Sequence, residues 1–186
     1  MPRKQILSES DKKELIKLSE LEAEFIRCYS LSEIDLSIIH NNCRGNANKI
    51  GYAVNLCYMR YPGIILPLNQ IPDPILVNYI GEQLNIKPEN WNEYGKREET
   101  RRELLLSIQL NFKINSFSME YYKKKCVNQL RDIALKTDKG LVLARELMNI
   151  LRQQRILFPS INVIERIVLK PLLKLKKKII PCFLHH

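Results

Sequence analysis

The sequence predicts an all-α fold of about ten helices in two packed lobes, with helix-turn-helix-like elements. Three observations carry this. Apolar residues recur at helical rather than alternating spacing. Hydrophobic residues make up 45% of the chain against six glycines, a balance that suits a buried core and not a disordered polymer. Ser, Asp, Gly and Pro punctuate the chain at the places where helices start and stop. With 186 residues the chain is long enough to bury such a core in one domain or two small ones.

The elements follow in order. Ser8 with Asp11 three residues on forms a capping box that opens a first helix, with Leu15 and Leu18 on its apolar side. A second helix over 21–29 turns Leu21, Phe25, Ile26 and Cys28 inward. Ser32 and Asp35 repeat the capping pattern before Ile34, Leu36, Ile38 and Ile39, and this third helix ends near Asn41-Asn42. Arg44-Gly45-Asn46 is a turn, and Ala47 to Tyr61 is a helix stopped by Pro62-Gly63. At about 100° per residue, Ile50, Ala53, Val54, Cys57, Tyr58 and Tyr61 lie on one side of it, and Asn48, Tyr52, Asn55 and Met59 on the other.

Pro62 to Pro74 is a proline-rich connector, so the first lobe is expected over 1–63, the connector over 64–72 and the second lobe over 73–178, with a tail at 179–186. Asp73 then reads as an N-cap with Pro74 at the first helical position, giving a helix to about Leu84. Lys87-Pro88 starts a short helix that holds the only tryptophan, Trp91, and ends near Gly95. Lys96 to about Phe112 is a helix burying Leu104, Leu105, Ile108 and Phe112. A long helix capped by Ser118 runs to about Lys136, with Tyr122, Cys126, Leu130 and Ile133 inward. After the turn at 137–140 come helices over 141–155 and, past Pro159-Ser160, 161–178.

Charge separates the function classes. The net charge is +10, but residues 1–40 carry −2, 41–95 carry 0 and 96–186 carry +12. A positive field gathered in one part of a folded chain suits a polyanion, because each neutralised phosphate releases condensed counterions. The plainer alternative is a solvated basic surface or a docking face for an acidic protein. Five scattered cysteines without a secretory signal give no disulfide framework and fit a reducing, cytoplasmic setting beside the nucleoid. His40 and Cys43 have a metal-compatible spacing but no second pair, so no metal or other cofactor is expected. No run reaches the ~18 apolar residues of a membrane span. The sequence holds no glycine-rich phosphate loop, no His-x-x-x-His pair and no nucleophile elbow, which argues against catalysis.

The best-defined candidate site is the helix pair joined at Arg44–Asn46. A tight glycine turn before a helix with a polar face fits a major-groove reader, with Asn48, Tyr52 and Asn55 toward bases and Arg44, Lys49 and Arg60 toward phosphates. An ordinary α-hairpin with a wet outer face fits the same pattern. The second candidate is Lys96, Arg97, Thr100, Arg101 and Arg102, where cations at a helix start oppose its dipole unless an anion is near. Neutralisation of these arginines internally by Glu98, Glu99 and Glu103, or by Asp73, Glu82 or Glu93 across a packed interface, is the competing account. Lys123 and Lys124, on a helix, and Lys139, in the turn before Gly140, complete the set as unspecific phosphate contacts.

Several segments together resemble the N-terminal region of the Tn-three family of transposases, the replicative enzymes that form cointegrates. They are Tyr29-Ser30-Leu31-Ser32-Glu33-Ile34-Asp35-Leu36, Arg44-Gly45, Asn48-Lys49-Ile50-Gly51-Tyr52-Ala53-Val54, and Leu56-Cys57-Tyr58-Met59-Arg60-Tyr61-Pro62-Gly63. In the same order follow Tyr94, Arg97 to Glu103, Lys136 to Gly140, Arg155 to Pro159 and Glu165-Arg166. The resemblance implies recognition of double-stranded DNA at the transposon's terminal inverted repeats, with strand chemistry in a distant acidic domain outside this sequence. A helical protein-interaction domain that pairs transposase subunits or docks on the catalytic domain is the alternative. Asn46, Ala47 and Leu104 depart from the family's usual acidic, histidine and histidine residues, so contacts made there by relatives are not expected here.

Overall fold

A computed structural model describes residues 5–67, 70–121 and 126–179. The described residues form ten α-helices and one 3-10 turn, and no strand is present among them, in agreement with the expected all-α class. They group into two compact units: Leu18–Asn115, and the described residues before Leu18 together with those after Asn115. This grouping differs from the expected division at the proline-rich stretch, for a local reason. Within the first unit Leu66 is buried, the Tyr58 hydroxyl accepts from the Asp73 N–H at 3.0 Å, and the helices either side of the stretch pack on each other.

The unit Leu18–Asn115 contains α2 (Glu22–Tyr29), α3 (Glu33–Asn42), α4 (Asn46–Arg60), α5 (Pro74–Leu84), the 3-10 turn Pro88–Glu93 and α6 (Glu98–Phe112). The expected caps are present. Ser32 Oγ accepts from the Asp35 N–H while Asp35 Oδ2 accepts from the Ser32 N–H, and Asp73 Oδ1 accepts from the Ile75 N–H at 2.8 Å. Gly45 precedes α4 with φ +78°, a left-handed conformation in which a side chain is strained.

α4 is the axle of this unit, packed by α2, α3, α5, α6 and the 3-10 turn. Every residue from Ile50 to Met59 is buried. Side chains such as Ile50, Val54 and Leu56 therefore each contribute about 1.5–3 kcal/mol by leaving water. Gly51 makes one of these contacts feasible, since a Cβ there would lie 2.0 Å from Cδ2 of Tyr94. The periphery is looser than expected in α2 and α3: Leu21, Ile26 and Ile34 face outward, and Tyr29 and Ile39 supply the core contacts.

The other unit contains α1 (Glu9–Leu15), α7 (Met119–Tyr121), α8 (Val127–Ala134), α9 (Gly140–Gln153) and α10 (Ile161–Ile179). Helices α8, α9 and α10 pack on one another around Leu130, Leu143, Leu147, Leu151, Ile164 and Val168. Its early segment is tied by Glu165 of α10, whose Oε1 accepts from the Ile6 and Leu7 N–H groups at 2.9 and 3.1 Å and whose Oε2 lies 3.5 Å from Lys12 Nζ. Arg145 of α9 pairs with Glu14 of α1. No helix of the described residues is long and apolar enough to cross a membrane.

Candidate nucleic-acid interface

The start of α4 leaves its amides open. Gly45 offers no side-chain cap, the first turn holds no acidic residue, and the Asn48 side chain turns back, its Nδ2 donating to the Arg44 carbonyl at 3.1 Å. Arg44 is exposed and Lys49 half-buried, and neither side chain is held by a carboxylate among the described residues. A helix start with unsatisfied N–H groups and two cations beside it is an electropositive surface.

Further along α4 the sequence expectation fails. Tyr52 and Asn55 were assigned to a free polar face, yet they are 0% and 1% exposed. The Tyr52 hydroxyl accepts from Asn111 Nδ2 at 3.2 Å and sits 3.4 Å from Ser107 Oγ, both on α6. Asn55 Nδ2 donates to the Gly51 carbonyl at 2.8 Å and to the Tyr94 hydroxyl at 3.2 Å. α4 thus presents no free polar face at Tyr52 and Asn55.

Arg60 is also placed differently from expectation. Its guanidinium forks onto Asp35, with Nη1 donating to Oδ2 at 2.9 Å and Nη2 to Oδ1 at 2.6 Å, and lies 4.9 Å from the Phe112 ring centre. Burial pushes the Asp35 carboxyl upward, but the Arg60 guanidinium and the Ser32 N–H outweigh it and hold the group below the usual carboxylate range. Arg60 locks α4 to α3 and is not a free phosphate contact.

The second cation cluster divides. Lys96 Nζ reaches Glu93 Oε2 at 2.5 Å, an exposed pair three residues apart. Glu98 and Glu99 occupy the first turn of α6 and complement its dipole. Arg97 and Arg102 are exposed with no carboxylate partner among the described residues, and Thr100 is half-buried. Arg101 is half-buried, and its Nη2 donates to the Leu66 carbonyl at 2.5 Å. Lys139 is exposed at the N-cap of α9, in the other unit, and Lys123 and Lys124 lie outside the described residues.

The residue that sequence reasoning undervalued is Tyr94. It rests on Gly51, bonds Asn55, and lies with its ring centre 5.1 Å from that of Trp91, the planes tilted by 41°. Burial raises its hydroxyl to about 12, with Arg101 pulling it down and Cys43 pushing it up. Tyr94 therefore packs on the middle of α4, at Gly51 and Asn55. The signal for it was Gly51, a glycine in a helix interior, where a close approach is the usual cause.

A family model described as Domain of unknown function (DUF4158) matches residues 6–170. The transposase for transposon Tn21 of Escherichia coli is 43% identical over 166 residues, 89% of this chain and 17% of the relative. The transposase for transposon Tn3926 of Escherichia coli is 45% identical over the same span and the same share of each protein. The transposase for transposon Tn501 of Pseudomonas aeruginosa is 36% identical over 167 residues, again 89% of this chain and 17% of the relative. The chain spans about one sixth of the length of these relatives. It belongs to the family described as Domain of unknown function (DUF4158), in the form carried by transposases of the Tn-three family.

Proposed function

We propose that this chain is the DNA-binding N-terminal region of a transposase and engages the terminal inverted repeats of its transposon in the bacterial cytoplasm. The observation that carries this is an uncapped helix start bearing Arg44 and Lys49, together with Arg97 and Arg102 of α6, all four exposed or half-buried and without a carboxylate partner among the described residues. Open amides and unpaired cations are what phosphate oxygens bind. Kinship with transposases supports the same reading. Specificity comes from the exposed residues at these helix starts and from DNA shape, since Tyr52 and Asn55 are enclosed. Strand cleavage and joining belong to other parts of the transposase.

Titration of the chain against the terminal repeat of its own element and a scrambled duplex at matched salt tests this. The repeat should bind at least about a thousandfold more tightly. Equal affinities would end the sequence-reading claim. Protein contact is a second activity that one observation favours: Leu106 and Leu110, one turn apart on α6, are 51% and 80% exposed and offer an apolar strip to another transposase subunit. Concentration-dependent self-association without DNA, lost in Leu110→Glu, is the expected result.

A further inference from the structure

The two sides of α6 differ in what covers them. Leu104, Leu105 and Ile108 are buried in the unit Leu18–Asn115, while Leu106 and Leu110 stand 51% and 80% exposed. At about 100° per residue, Glu99, Glu103, Leu106 and Leu110 fall within an arc of roughly 60°, a straight stripe along the outer side of the helix. All four are exposed, and so is Lys113, which ends the helix. Glu99, Glu103 and Lys113 have no ion-pair partner among the described residues. The stripe thus carries carboxylates at one end, leucines in the middle and a cation at the other.

That order is self-complementary. When a second copy of α6 lies antiparallel on the first, with a two-fold axis beside Ile108, Leu106 meets Leu110 of the second copy and Glu103 meets Lys113 of the second copy, each contact occurring twice. One register supplies both kinds of contact, because Leu106 and Leu110 are as evenly placed about Ile108 as Glu103 and Lys113 are. The antiparallel arrangement also sets opposite ends of the two helix dipoles side by side. A parallel pair would instead put Glu103 on Glu103 and Lys113 on Lys113, and like charges set face to face repel. Arg102 lies about 100° round the helix from Glu103, at the margin of the stripe, and the pairing does not use it.

We propose that α6 pairs with α6 of a second copy of this chain, antiparallel about Ile108. The proposal rests on the protein-contact reading above and fixes its partner and register. A single helix pair covers less than the roughly 1,200 Å² of a stable interface, so the pairing is weak in free solution and is favoured when two copies are held close on DNA.

The experiment has two arms, both on the whole chain without DNA. In the first, Leu106→Cys and Leu110→Cys are oxidised with oxidised glutathione, separately and as an equimolar mixture, with the native chain as background for its own cysteines. Facing positions come within the Cβ separation of about 3.5–4.5 Å that a disulfide needs, whereas like positions are offset by about 6 Å along the axes. The mixture should form covalent dimer at least about fivefold faster than either variant alone. In the second arm, sedimentation equilibrium across roughly 10–500 µM reads the association of the native chain, Glu103→Lys, Lys113→Glu and the double variant. Each single variant should weaken association about three- to tenfold, and the double variant should return to within about threefold of the native chain. These side chains are exposed, so the thermal melts should not move. Equal cross-linking by each cysteine variant alone, or a double variant weaker than both singles, overturns the antiparallel register. Protein contact through the strip then still stands if Leu110→Glu abolishes association. A native chain that stays monomeric over the whole range overturns both.

Discussion

Arg60→Ala separates a structural cation from a DNA-contacting one. The substitution strands Asp35, 3% exposed, without the guanidinium that donates to both of its oxygens. Removing one partner of a buried ion pair costs about 3–5 kcal/mol. The Arg60 side chain is 32% exposed, and water reaching that site softens the loss, so about 2–3 kcal/mol is expected. For a unit of this size 1 kcal/mol moves Tm by about 4–8 °C, which gives a drop of roughly 10–20 °C in a thermal melt. The pH dependence follows from the sign of the shift. Asp35 titrates below its unfolded value, so its contribution is complete above about pH 4 and is lost as the pH falls through the lower folded value. In Arg60→Ala, burial is left dominant, and acid destabilisation should begin at higher pH than in the native chain. The salt slope of DNA binding should stay unchanged. A melt shifted by less than about 2 °C, together with a slope shallower by about one, would refute the structural assignment and return Arg60 to the phosphates.

Arg97→Ala and Arg102→Ala should each flatten the log–log salt dependence of DNA affinity by about one, with no shift in the melt; unchanged slopes would remove α6 from the interface. Gly51→Ala should destabilise by about 1–3 kcal/mol in urea, since the new methyl meets the Tyr94 ring, and the loss should shrink in the Tyr94→Ala background; additive losses would mean that the two sites are not in contact. Glu165→Ala should release the Ile6 and Leu7 amides to fast hydrogen exchange at a cost of about 1–3 kcal/mol, and protection equal to the native chain would contradict the tie. Burial pushes the Cys43 and Cys57 thiols up to about 12, so a thiol reagent at pH 8 should modify them only after denaturant is added.

Local signals in the sequence were enough for several helix starts, though not for the long helix expected from Ser118 to about Lys136, where the described residues give α7 over Met119–Tyr121 and α8 over Val127–Ala134. Ser8, Ser32 and Asp73 cap where their spacing predicts, Gly45 adopts the turn conformation, and the core stripe of α6 is buried at Leu104, Leu105 and Ile108. The faces of α4 were not legible, because angular separation of apolar and polar residues implies a wet side only when a helix is covered from one direction. α4 is covered from all around, and the groups that satisfy Tyr52 and Asn55 come from Asn111 and Tyr94, 59 and 39 residues away. Asp35 likewise read as a cap alone, since nothing local announces that Arg60 will share its oxygens. The proline-rich stretch read as a connector because its residues favour extended backbone; the burial of Leu66 and the bond from the Asp73 N–H to the Tyr58 hydroxyl are tertiary contacts, which local rules do not reach. Of the candidate site, Arg44, Arg97, Arg102 and Lys139 are exposed and Asn48 and Lys49 half-buried, whereas Tyr52 and Asn55 are enclosed.

The grip of Glu165 on Ile6 and Leu7 has a consequence in time. The two ends of that tie are 159 residues apart, so during synthesis at about 5–20 residues per second the early segment waits roughly 8–30 s for its partner to be made. Leu18–Asn115 is complete well before then and can fold first, because its contacts close within itself. The remaining unit is therefore assembled last, by a long loop closure, and a translational pause late in the message would delay that unit alone.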